Sequence, residues 1–303
     1  MEKNIKNIRQ QFKEHGIFYT PTALAEKIKS YIPFTPERVY DPTCGQGNLL
    51  SVFPDDVQKY GQELDPYELA KAKERLTNFI GASGDTLKYT AFPGAKFDAI
   101  VANPPFSIKW EPQRNDDRFE NAPCLPPPSK ADYAFILHIL HHLDVNKGIA
   151  VVMEFPGILY RGAREGKIRQ WIVEQNWLER VVHVPGNSFT DTSIATCILV
   201  FNKHKTTTDV IFEDLELEEE KTVTLDEIQK NGYTLSVSTY IQKEPEKIHI
   251  DPIEQNKKAD DLTVSSLEAS LEMSKMICDI EGLSIQPLIN RLEAVLSKYK
   301  EAV

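Results

Sequence analysis

The run Ala99-Ile100-Val101-Ala102, followed at once by Asn103-Pro104-Pro105-Phe106, constrains the fold of this chain more than any other stretch. The four apolar residues read as a buried strand. Two consecutive prolines can neither continue that strand nor open an ordinary helical turn, so the chain leaves the sheet in a rigid, extended shape. Open α/β sheets place ligands at the carboxyl ends of their strands. A fixed turn there, with an amide before it and an aromatic ring after it, suits a planar base held by its exocyclic amine.

The same strand-then-turn grammar recurs along the chain. Val39-Tyr40 reads as a strand ending in Asp41-Pro42-Thr43-Cys44-Gly45-Gln46-Gly47-Asn48, with a helix beginning at Leu49. Lys59 to Glu63 is a second strand, followed by a helix over Pro66 to Leu76. Ile80 to Ser83 and Phe97 to Ala102 follow as strands. Further on come a helix over Ala131 to Leu143, a strand over Gly148 to Met153, a helix over Lys167 to Gln175, and strands over Leu178 to Val184 and Ile194 to Phe201. This alternation predicts an α/β fold, a doubly wound sheet with helices on both faces. Upstream, residues 3–15 read as a short polar helix. Thr20-Pro21 reads as the N-cap and first position of a helix reaching about Ile32. Ser107 to Lys130 is a polar, proline-bearing loop, either a functional lid or disordered.

The texture changes after Phe201. Glu216 to Glu220 is a charge run, Asn231-Gly232 a stop or hairpin signal, and 251–261 a linker-like stretch. Leu262 to Tyr299 repeats apolar residues at helical spacing, divided by Gly282 and Pro287 into two amphipathic helices that either fold back or pack on a partner. Two domains are expected: a catalytic domain over 1–205 and a small, acidic, mostly helical extension over 206–303.

Charge follows the same division. The net charge is -10, yet residues 206–303 carry 21 acidic against 10 basic side chains, while 1–205 carry 24 against 25. The first two thirds are therefore free to present a basic face to nucleic acid. No apolar run approaches the ~18 residues of a membrane span, and the polar start of the chain lacks a signal-peptide core. A cytoplasmic protein with no membrane partner is expected. Cys44, Cys124, Cys197 and Cys278 lack metal-ligand spacing, and no metal is expected. His138, His141 and His142 share one helix at ligand-like spacing but have no acidic or thiol partner nearby; they read as a solvated polar face. Arg161, Arg164, Lys167 and Arg169 cluster around a glycine-bearing loop, and serve equally as phosphate contacts or as solvated surface.

Four strand ends carry the chemistry. In the first, Gly45 and Gly47 let backbone amides approach a ligand and Asp41 can take a cation, although a tight strand–helix turn explains the glycines as well. Glu63, ending the second strand, is placed for a ribose diol or is an ordinary surface carboxylate. Asp85 is placed to accept from an adenine amine, or caps a helix. The fourth is Asn103 to Phe106. Their occurrence in this order is more specific than any one of them.

In that order, Asp41–Leu50, Gly61–Pro66, Gly84–Leu87 and Asn103–Phe106 resemble motifs I to IV of the S-adenosylmethionine-dependent N6-adenine DNA methyltransferases. Phe18-Tyr19-Thr20-Pro21 resembles motif X, in the gamma arrangement. The strings Tyr133-Ala134-Phe135, Arg161-Gly162-Ala163, Pro185 to Phe189 and Thr192 to Val200 extend the likeness to the modification subunit of type I restriction systems, over about residues 14–205. The resemblance implies a Rossmann-like methyltransferase domain and S-adenosylmethionine as cofactor. Phe18, Thr20, Asp41, Thr43, Gly45 and Gly47 would hold its methionine end, Glu63 its ribose, and Asp85 with Thr86 its adenine. Asn103, Pro104, Pro105 and Phe106 would act on the target adenine, with Asn103 also bordering the cofactor, and Phe189 would supply a ring to the base's other face.

The residue types suit the chemistry. The adenine N6 lone pair is delocalised into its ring. Acceptance of the amine hydrogens by the Asn103 side-chain oxygen and the Pro104 carbonyl favours a pyramidal nitrogen aimed at the methyl, and fixed dipoles stabilise the charge that grows there. The base must leave the duplex first. Against the family pattern, only about 15 residues precede motif X and no sizeable target-reading domain is visible. A separate specificity subunit, or a homodimer formed through the C-terminal helices, is therefore expected as partner beside DNA. An RNA or protein-glutamine substrate for the same turn, and a catalytically silent binding protein, are the alternative readings.

Overall fold

The computed structural model describes residues 20–113, 115–186, 195–242 and 251–300. Residues 3–15, Phe18 and Phe189 lie outside them. Two compact units divide the chain, Met1–Lys243 and Glu244–Val303.

The first unit is built on nine strands: β1 (Arg38–Asp41), β2 (Gln58–Glu63), β3 (Phe79–Ser83), β4 (Ala99–Ala102), β5 (Ile149–Glu154), β6 (Leu178–Val184), β7 (Thr196–Asn202), β8 (Val210–Asp214) and β9 (Glu219–Val223). They lie in the order β3-β2-β1-β4-β5-β7-β6-β8-β9. The strands from β3 to β5 are parallel, and β7 is inserted antiparallel between β5 and β6. Every residue of β4 and β5 is buried, as central parallel strands must be when helices cover both faces. Alternation along them sends Ile100, Ala102, Ala150 and Val152 to one core and Ala99, Val101, Ile149 and Val151 to the other. Helices α1 (Thr22–Ser30) and α2 (Pro66–Arg75) cover the second core. The short α3 (Asp117–Glu120), α4 (Asp132–His142) and α5 (Ala163–Glu174) join the first. The doubly wound α/β sheet expected from the alternation is the architecture present.

Several local expectations need correction. The turn after β1 opens no α-helix: Leu50–Val52 is a single 3-10 turn. α1 begins at Thr22 with Pro21 rather than Thr20 at the N-cap, where proline offers no side-chain acceptor; the Thr20 hydroxyl accepts from Asn103 instead. The described residues of 107–130 pack around buried Trp110, Arg118 and Phe119, and α3 lies among them. His138 and His142 are buried, not solvated. Arg118 Nη1 sits 3.0 Å from His138 Nδ1, and a guanidinium can only donate, so neutral His138 carries its proton on Nε2, 3.0 Å from the Tyr40 hydroxyl. Burial, with His142 and Arg118 beside it, holds its pKa well below the usual range. Among the described residues no cluster could hold a metal ion.

The boundary expected at residue 205 also moves. β8 pairs parallel with β6 and β9 pairs with β8. α6 (Leu225–Lys230) and α7 (Val237–Tyr240) add Ile228, Val237 and Tyr240 to the first core. The charge run that suggested an extension is the tip and outer strand of a hairpin, where charges keep a sheet edge from pairing further. In the second unit the linker-like 251–261 is helical. Asp251 accepts from the Ile253 amide at 2.9 Å, and Pro252 opens α8 (Pro252–Glu281), which ends at left-handed Gly282 before α9 (Gln286–Lys300). No described helix is long and apolar enough to cross a membrane.

Candidate active site

The sheet order reverses at β1, with β2 on one side and β4 on the other. At that reversal the carboxyl ends of the strands open onto a crevice. A cavity of about 620 Å³ lies there, lined by Thr20, Asp41, Thr43, Gly45, Glu63, Asp85, Thr86 and Asn103 among others. All four strand-end signals thus converge on one space.

Glu63 organises its floor. One carboxylate oxygen accepts from the Gly45 amide at 2.8 Å and the other from the Asp65 amide at 2.9 Å. Gly45 holds φ +51°, and nothing lies within 4 Å of where its Cβ would stand; the backbone is left bare toward the cavity. Asp41 is buried and accepts from the Thr43 amide at 2.9 Å. Burial pushes its carboxyl up to about 8, with the Glu63 charge adding to the rise and the Thr43 amide opposing it. The Thr86 hydroxyl donates to the Pro42 carbonyl, tying the third strand end to the first. Asp85 lines the cavity and spends one oxygen on the Leu87 amide at 2.9 Å; it opens a turn that no helix follows, so it is not a helix cap.

At the fourth end, the Asn103 amide donates to the Thr20 hydroxyl at 3.1 Å. Its Oδ1 is buried and has no hydrogen-bond partner among the described residues. A buried carbonyl without a donor is costly, and such orphans mark a missing ligand group or a functional role. Pro105 lines the cavity. Pro104 is buried, and Phe106 is half-buried against the core that holds Leu24 and Leu49.

The basic cluster divides by helical spacing. Residues 161, 165 and 169 point inward. Arg161 lies 3.5 Å from Asp132 and 3.3 Å from Glu165. Arg169 is buried, donating to the carbonyls of Tyr233, Ile158 and Arg161; it is a structural residue rather than a phosphate contact. Arg164 and Lys167 are exposed. Sequence reasoning missed the wall formed by Ile108, Lys109, Trp110 and Glu111 from the 107–130 loop, and Leu64 and Phe135. Trp110, whose indole N–H donates to the Pro127 carbonyl at 3.0 Å, was the available signal: a large aromatic inside a proline-bearing polar loop.

This sheet order, with β7 reversed inside the sheet and β9 reversed at its edge and a crevice at the β1/β4 switch, is that of a Rossmann-like methyltransferase. The chain belongs, more particularly, to the N-6 DNA methylase family, whose model matches residues 5–222. It is 31% identical to the type I restriction enzyme MpnII methylase subunit of Mycoplasma pneumoniae, over 89% of this chain and 61% of that protein. It is 29% identical to the HindI methylase subunit of Haemophilus influenzae, over 64% of this chain and 47% of the relative. The crystal structure of the type I restriction-modification methyltransferase subunit from Streptococcus thermophilus superposes with a TM-score of 0.68 at 28% identity, covering 74% of this chain and 59% of that one. The chain spans less than two thirds of the length of each of these three relatives.

The cofactor implied by the family is S-adenosylmethionine, and the residues fit it. The cavity floor sets two carboxyl groups, Asp41 and Glu63, near enough to raise Asp41, an arrangement that a cationic ligand relieves. The bare Gly45 backbone and the polar turn at Asp85 extend that floor along the crevice.

Proposed function

We propose that this chain transfers a methyl group from S-adenosylmethionine to the N6 amine of an adenine flipped out of DNA, as the modification subunit of a type I-like system. The cofactor supplies an electrophilic methyl on its sulfonium when bound. The observation that carries the reading is Asn103 Oδ1, buried without a hydrogen-bond partner among the described residues, on a side chain that lines the cavity. A carbonyl oxygen kept free of donors is what an exocyclic amine requires.

Asn103 is aimed by Thr20, and the two prolines after it remove backbone freedom, so acceptor geometry is set before the base arrives. Fixed dipoles at that point stabilise positive charge growing on N6 without reorganisation. Alignment of the amine with the methyl accounts for much of the remaining acceleration. Phe106 and Phe189 would hold the base by stacking, worth ~1–3 kcal/mol per base. Exposed Arg164 and Lys167 stand as phosphate contacts. With DNA as substrate, the protein works in the cytoplasm.

We further assign DNA reading to a specificity partner docked on the second unit, whose helices α8 and α9 bury no residue of their own. Deletion of residues 262–303 tests this; unchanged assembly and activity would refute it. The reaction itself is tested by incubating the protein with radiolabelled cofactor and DNA, RNA or protein. Label in adenine of DNA supports the reading. Label in RNA or in protein glutamine replaces it, and absence of cofactor binding leaves a binding protein.

A further inference from the structure

Directly behind the Asn103–Phe106 turn lies a group of charged side chains that the reaction as described does not use. Ser107, the next residue, has φ +53°, a left-handed conformation that a residue with a Cβ adopts only when held. Asp132, at the start of α4, holds it: Oδ1 accepts from the Ser107 amide at 2.9 Å and from its hydroxyl at 3.4 Å. Arg161 Nη2 donates to the same hydroxyl at 3.2 Å, while its Nη1 lies 3.5 Å from Asp132 Oδ2. That guanidinium rests where a side chain at Gly157 would stand, 2.5 Å from a would-be Cβ.

Glu154 completes the group from the end of β5. It is 0% exposed, and neither of its carboxyl oxygens has a hydrogen-bond partner among the described residues; Asp132 Oδ2 has none either, only the Arg161 charge 3.5 Å away. Two ionised carboxylates are acceptors only and cannot satisfy each other. Burial, with the Asp132 charge beside it, pushes the Glu154 carboxyl well above the usual carboxylate range, and a proton held on Glu154 lets it donate to Asp132 Oδ2. The pairing register explains the placement. Ala102 is paired with Val152, so Glu154 emerges level with Pro104, on the face that also takes Ala102 and Val152.

We propose that Asp132 is a positioning residue for methyl transfer: with Glu154 and Arg161 it fixes Ser107 and, through it, the aim of the Asn103–Phe106 turn. This rests on the methyl-transfer reading above. Asp132 touches neither the cofactor cavity nor the acceptor oxygens, so its loss should separate chemistry from cofactor binding. Misplacement of a reacting group by about 1 Å costs on the order of 100-fold in rate.

The experiment compares wild type, Asp132→Ala and Asp132→Asn by hydrogen–deuterium exchange at the Phe106 and Ser107 amides, by cofactor affinity, and by the rate of methyl transfer. In Asp132→Ala the Ser107 amide should exchange about tenfold faster, as for a lost hydrogen bond to a charged group. Methyl transfer should fall by about 10- to 100-fold, with cofactor affinity unchanged. Asp132→Asn keeps an acceptor for Ser107 and offers an amide donor to Glu154, so it should restore both readouts. Should Asp132→Ala fail to fold, Asp132→Leu fills the space without an acceptor and takes its place. Unchanged Ser107 exchange, or cofactor affinity falling in step with rate, would overturn the inference. The exchange readout needs no substrate, so a wild type that stays inactive when assayed together with its specificity partner would refute the methyl-transfer reading and leave the hold of Asp132 on Ser107 tested.

Discussion

Asn103 and Thr20 are 83 residues apart in sequence, and the amide of one donates to the hydroxyl of the other at 3.1 Å. That contact joins the segment before α1 to the turn after β4. It leaves Asn103 Oδ1 as the group with nothing to accept. Thr20→Val keeps the shape and removes the hydroxyl. Asn103 then loses about 1 kcal/mol of orientation, and single-turnover methyl transfer should slow by roughly five- to tenfold, with cofactor affinity little changed.

Asp41 gives the site a pH dependence of definite sign. Its carboxyl rises from 3.8 to about 8 in the folded chain. A raised folded-state value favours the neutral form, so its contribution to stability is full below the ordinary Asp range and is lost as pH climbs through about 8. The free protein should therefore lose thermal stability from about pH 5 to about pH 9 more steeply than Asp41→Asn does. A cation bound beside Asp41 reverses the preference. Cofactor affinity measured by calorimetry should rise between about pH 6 and about pH 7.5 with release of a proton, and Asp41→Asn should abolish both.

The two glycines of the first turn should differ. Gly47 holds φ +78°, and a Cβ there would stand 2.5 Å from Leu76 Cδ1; Gly45 holds φ +51° in open space. Gly45→Ala meets backbone strain alone, about 1–2 kcal/mol. Gly47→Ala adds overpacking of about 1–3 kcal/mol. Denaturant unfolding reads the difference, and Gly45→Ala should be distinguished by weakened cofactor binding from an otherwise stable fold.

Arg118, on α3, links that helix to the third strand end. It donates to the Thr86 and Leu87 carbonyls, and its side chain pairs with Asp116. Arg118→Met removes a buried charge that is fully partnered. It should destabilise the protein by about 3–5 kcal/mol, and cofactor affinity should fall because Thr86 and Leu87 line the cavity. Unfolding and binding titrations check the two effects separately.

Strand ends were the legible part of this chain. Rigid or glycine-bearing turns after apolar runs write their position into local sequence, so Asp41, Glu63, Asp85 and Asn103 could be placed at one edge before any coordinates. What local pattern could not show was which polar residues are paired inside. His138 and His142 sit on a helix whose other residues are almost all apolar, and their partners, Tyr40, Arg118 and Thr90, come from 20 to 98 residues away. The same blindness applies to Arg169, bonded to Tyr233 across 64 residues. The hairpin of β8 and β9 was hidden because its outer strand, Glu219–Val223, is mostly exposed and lacks the alternation of a half-buried strand.

The most direct test is methylome sequencing of cells expressing the protein with its specificity partner, wild type against Asn103→Ala. N6-methyladenine at a defined sequence with the wild type, and its loss in the variant while the purified variant still binds S-adenosylmethionine, is the expected result. Adenine methylation that persists undiminished in Asn103→Ala would contradict the role given to that side-chain oxygen.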